Sequence, residues 1–109
     1  MDSVLADRLN KLTAQNKRLR DAEELFLELE ANKKPLLAQL ILKSPGKSFA
    51  EREAQALASE DWINFIKFHV MKETEFNFEK RKYAILEQAY YAELNTYKRE
   101  DALIKRGAS

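Results

Sequence analysis

A chain of 109 residues with 34% charged side chains, two glycines and two prolines has too few turn residues for a globule of many short elements. The abundance of Ala, Leu, Glu, Lys and Arg instead predicts long helices, so the expected fold class is all-α, in one domain. A formal charge of +1 excludes a global field that draws the protein to nucleic acid or anionic lipid, so any such binding needs a local patch.

The absence of cysteine removes disulfide and thiolate chemistry. No apolar run approaches the roughly 20 residues of a membrane span, and the first residues carry no signal-type core. The expectation is a soluble, cytoplasmic protein without a membrane partner.

In chain order, Leu5, Leu9, Leu12, Asn16, Leu19 and Phe26 recur at spacings of three and four or their sum, the seam of an amphipathic helix able to join a coiled coil. Asn16 interrupts that seam. The stripe passes on to Leu29, Leu36, Leu37 and Leu40. Pro35 removes one backbone hydrogen bond and crowds the preceding turn, so it is expected either to kink this arm or to divide it; a division near Asn32 would make Pro35 the first residue of a second short helix.

Ser44-Pro45-Gly46-Lys47 stops the helix and reverses the chain, proline by its fixed φ and glycine by tolerating positive φ. Ser48-Phe49-Ala50-Glu51 fits a capping box that starts the next helix. From there helical spacing links Ala54, Leu57, Ala58, Trp62, Phe65, Ile66, His69, Phe76, Tyr83, Leu86, Tyr90, Leu94 and Tyr97. Ser59-Glu60-Asp61 offers a further cap and allows a hinge near Ser59, although no proline or glycine requires one.

The resulting architecture is a long antiparallel helical hairpin: arm 1 about 3–43, turn 44–48, arm 2 about 49–106. Laid about the turn, residue 43 faces 49 and residue 4 faces roughly 88. The last 15 or so residues then project about 20 Å beyond the first arm. They carry Tyr90, Tyr91, Leu94 and Tyr97, an apolar exposure that a second copy or an obligate partner would cover. Nine of the eleven aromatic residues lie between Trp62 and Tyr97, and we expect Trp62, Phe65, Phe76, Tyr83, Tyr90, Tyr91, Leu94 and Tyr97 to make a homo-oligomer interface.

No catalytic constellation emerges. Gly46-Lys47-Ser48 lacks the upstream glycine of a phosphate-binding P-loop, Ile41 standing in that place. His69 is the only histidine, without HExxH or repeated ExxH spacing, so no metal site, cofactor or enzyme activity is expected. The run Lys80-Arg81-Lys82 spreads around a helix. By contrast, the window between Ala31 and Ala50 holds Lys33, Lys34, Lys43 and Lys47 with no Asp or Glu. With Arg52 these cations converge if the hairpin forms, and they are the candidate nucleic-acid-binding residues, neutralising phosphates without reading sequence.

Leu29-Glu30-Ala31-Asn32-Lys33-Lys34, Leu36-Leu37-Ala38-Gln39-Leu40, and Ser48-Phe49-Ala50-Glu51-Arg52-Glu53-Ala54-Gln55-Ala56 with Ser59 resemble elements of small helical proteins from bacteriophage recombination and replication modules, of the UvsY recombination-mediator type. Asp61 to Tyr97 resembles their aromatic second arm. The resemblance covers about two-thirds of the chain. It implies a multimeric helical protein in the bacterial host cytoplasm that binds single-stranded DNA, with a recombinase or single-strand-binding protein as further partner, and that helps load the recombinase. The mediators' L-K-A-R-L segment reads Leu36-Leu37-Ala38-Gln39-Leu40 here, so from their basic element Lys33 and Lys34 alone carry over. The rival expectation is a coiled-coil adaptor, chaperone or inhibitor acting through protein contacts.

Overall fold

The computed structural model describes residues 3–108, and among them there is no strand. Three helices follow in order: α1 (Ser3–Lys43), α2 (Phe49–Leu57) and α3 (Glu60–Ala108). The fold is all-α. Its contacts fall into two compact units, where the sequence suggested one domain: a middle unit, Ala22–Phe76, and an end unit, Met1–Asp21 with Asn77–Ser109.

α1 ends where the sequence expects. The Ser44 amide donates to Ile41 O at 3.2 Å and its hydroxyl to Leu40 O at 2.8 Å, satisfying carbonyls of the last turn. Pro45 then forbids continuation. Ser48 caps α2 with extended backbone (φ −113°, ψ 162°), its Oγ accepting from the Glu51 amide at 3.1 Å. The Glu51 carboxylate reaches back to the Lys47 amide at 2.9 Å, one residue before the cap.

Gly46 has a different reason from the expected one. Among the described residues no glycine has positive φ. A Cβ at Gly46 would meet Glu51 Cβ at 2.8 Å and the Arg52 amide nitrogen at 3.0 Å. Glycine is needed because the turn is pressed against the first turn of α2, where the Gly46 amide donates to Gln55 Oε1 at 2.9 Å.

The hinge at Ser59 is real. Its hydroxyl donates to Ala56 O at 2.6 Å and accepts from the Trp62 amide at 3.2 Å, closing α2 and capping α3 with one side chain. Glu60 and Asp61 place negative charge at the positive end of the new helix.

The break expected near Asn32 is absent, because α1 runs unbroken through Pro35. The proline is exposed. Its ring lies on the solvent side, where the carbonyl that loses its backbone donor faces solvent and the helix can tilt that turn outward.

α2 also changes the expected register. A continuous second arm would set Glu30 against Trp62 and Arg8 against Ala84. In the middle unit Glu30 meets His69, and in the end unit Arg8 meets Glu93 at 3.6 Å. α2 consumes residues in a short return stroke, so α3 pairs with α1 several residues later. Tyr90 and Leu94 therefore lie beside the start of α1, both half-buried.

In the middle unit α2 makes a core possible. Ala56, 0% exposed, joins Leu40 and Trp62, with Leu36, Leu37, Ile41, Phe65 and Ile66 packed around them. Below that cluster His69 is buried between Phe26 and Phe65, ring centroids at 5.4 and 6.1 Å, and donates from Nε2 to Glu30 Oε1 at 2.5 Å. Phe76 stacks on Phe26 at 5.4 Å.

The end unit has two helices and a thinner interior. Leu5 is buried, and so is Gln15, 1% exposed, whose Nε2 donates to the Glu79 carbonyl at 3.2 Å and to the Glu79 carboxylate. The polar seam residue is therefore Gln15 and not the expected Asn16.

Candidate functional site

The expected basic cluster lies in the middle unit at the α1–α2 corner. Lys33 and Lys34 stand on α1 beside a shallow cavity of about 550 Å³ also lined by Glu30, Leu37 and Trp62. Glu30 thus brings one carboxylate to this side of the corner, just outside the acid-free window. Lys34 also lines a second groove of about 470 Å³, where Arg52 of α2 joins it. Lys43 closes α1 and Lys47 precedes the Ser48 cap; both are exposed and line neither cavity.

Lys34 is the hinge of the cluster, placed with Lys33 on one side and Arg52 on the other. Among the described residues none of these five cations forms an ion pair. Arg52 Nε is buried and lacks a hydrogen-bond partner. Unpaired cations in one neighbourhood repel each other and gain from any polyanion that neutralises them.

The second groove is otherwise apolar, lined by Leu37, Ala38, Ile41, Leu42 and Phe49. Leu42 is 81% exposed and Phe49 60% exposed. The periodicity assigned neither residue to a site. A signal was present, since the run Leu36-Leu37-Ala38-Gln39-Leu40-Ile41-Leu42 is too apolar for a single helix face.

The proposed interface residues divide. Trp62 is buried in the chain's own core, Phe65 packs against it, and Phe76 is stacked on Phe26. These three serve the hairpin itself and give little surface to a second copy. Tyr83 and Tyr90 are half-buried, as is Leu94, while Tyr91 and Tyr97 are exposed. Partial desolvation, then the adjacent Glu87 carboxylate, pushes the Tyr83 phenol above its ordinary range, with Arg20 opposing. Phe78, Ile85, Leu103 and Ile104 are exposed as well.

Gly46, Lys47 and Ser48 are used in the turn and cap. Among the described residues no three His, Asp or Glu side chains gather as metal ligands. Among the described residues no helix is long and apolar enough to cross a membrane.

No family model, curated protein or solved structure matches this chain.

Proposed function

We propose that this chain is a non-enzymatic accessory protein of phage-type recombination or replication, which holds single-stranded DNA on its basic corner and assists recombinase loading in the bacterial cytoplasm. The observation that supports this reading is the set Lys33, Lys34, Lys43, Lys47 and Arg52, carried on the second half of α1, the turn and the start of α2, none of which forms an ion pair among the described residues. The pattern resemblance to phage mediators points the same way. Each site is weak alone, so the reading includes a homo-oligomer that repeats it along one strand. Exposed Ile85, Tyr91, Leu103 and Ile104 support self-association.

A labelled oligonucleotide titrated at low salt tests it. The wild-type chain binds, and the Lys33, Lys34, Lys43, Lys47→Gln variant binds at least tenfold more weakly, by about one order of magnitude or more for four lost phosphate contacts. Equal binding by the two proteins would sink the site assignment.

The second reading, an adaptor, chaperone or inhibitor acting on a protein, is favoured by a specific observation: Leu42 and Phe49 are exposed together in an apolar groove at the same corner.

A further inference from the structure

The α1–α2 groove presents two properties together. Leu37, Ala38, Ile41, Leu42 and Phe49 give it an apolar lining, and its two charged lining residues, Lys34 and Arg52, are both cations. Neither has an ion-pair partner among the described residues, and Arg52 keeps a buried Nε–H without an acceptor. A ligand that satisfies the site must bring apolar side chains and carboxylates at once.

We infer that this groove docks an acidic amphipathic helix of a partner protein. The helix seats its apolar stripe on Leu42, Phe49 and the groove lining, and its flanking carboxylates face Lys34 and Arg52. A volume of about 470 Å³ suits the few anchor side chains of a helix-in-groove contact. This gives the protein-binding reading its partner chemistry; Lys34 and Arg52 belong to both readings, whereas Leu42 and Phe49 belong to this one alone.

Two alternatives fit less well. A nucleobase gains chiefly by stacking on rings, and Phe49 is the one aromatic residue of the groove lining. A second copy of this chain offers Leu103-Ile104 as an exposed apolar segment, but its neighbours Lys98, Arg99, Lys105 and Arg106 outnumber Glu100 and Asp101. That net positive segment would meet Lys34 and Arg52 like to like.

The test uses the full chain and a fluorescent helical peptide of about four turns, with leucines along one stripe and glutamates elsewhere. A control peptide carries lysine in place of glutamate. The glutamate peptide binds and the lysine peptide does not. Leu42→Gln with Phe49→Ala weakens peptide binding about tenfold or more, from the apolar area lost, and leaves oligonucleotide binding unchanged. Both residues are exposed, so far-ultraviolet circular dichroism should show unaltered helix content. Lys34→Glu with Arg52→Glu loses the glutamate peptide and acquires the lysine peptide, a swap that a merely structural role would not produce.

Unchanged peptide affinity in folded Leu42→Gln/Phe49→Ala overturns the proposal. So does failure of the charge reversal to exchange the two peptides. If the apolar variant loses oligonucleotide binding and the peptide never binds, the groove belongs to nucleic acid and the helix proposal is overturned. Loss of peptide binding with DNA binding intact, or the reverse, separates this inference from the DNA reading.

Discussion

The middle and end units use the same two long helices to different effect. In the middle unit, α2 supplies a third surface, and Ala56 at zero exposure closes a core with Leu40 and Trp62. In the end unit a pair of helices buries Leu5 and a glutamine. Two helices share one narrow seam, whereas nine residues of α2 turn that seam into a volume. Ion pairs occur in both: Arg8 with Glu93, Lys11 with Asp7 and Lys105 with Asp101 in the end unit, His69 with Glu30 and Lys72 with Glu75 in the middle one. Among the described residues the five cations of the corner take part in none of them.

The sharpest way to break that contrast is Trp62→Ala, which empties the centre of the middle core. A loss of about 3–5 kcal/mol is expected for a buried tryptophan, read by denaturant unfolding. A loss no larger than that of a surface substitution would mean that the middle unit does not hold the fold. His69→Ala comes next. It removes two ring contacts and a hydrogen bond to Glu30, at about 2–3 kcal/mol, and its effect on amide exchange should concentrate in the middle unit.

Gly46→Ala forces a Cβ to within 2.8 Å of Glu51 Cβ, and by overpacking costs about 1–2 kcal/mol in thermal unfolding. No cost would mean that the turn is not pressed against α2. The smallest effect is expected in the end unit. Gln15→Met removes a buried Oε1 that has no partner and frees the half-buried Glu79 carboxylate to water, so stability should change by less than about 1 kcal/mol. A larger loss would show that the end unit depends on its polar seam.

Much of this fold was readable in advance, for local reasons. Ser44-Pro45-Gly46 and the Ser48 and Ser59 caps act on neighbouring backbone, so helix limits at Lys43, Phe49 and the Ser59 hinge follow from a few residues each. What escaped depends on which side of a helix faces out. Pro35 divides a helix or rides on it according to its exposure, which no local pattern states. Gln15 and Asn16 are alternative neighbours of Leu12 at spacings of three and four, and the choice fell to the side chain that reaches the Glu79 carbonyl.

The register shift has the same origin. Helical spacing continues through α2 as though the second arm were straight, and only the packing of Ala56 reveals that the arm folds back first. At the corner, the lysines were visible by counting charges. The groove was not, because it exists only once Phe49 is carried beside Leu42.

The claim that the corner works through phosphates is tested most directly by the salt dependence of single-stranded DNA binding. Four or five neutralised phosphates predict that log K falls against log salt concentration with a slope of about −3, at roughly 0.7 per contact on a single strand. The Lys33, Lys34, Lys43, Lys47→Gln protein should then approach a flat line. A wild-type slope near zero, or the same steep slope in both proteins, would contradict the account.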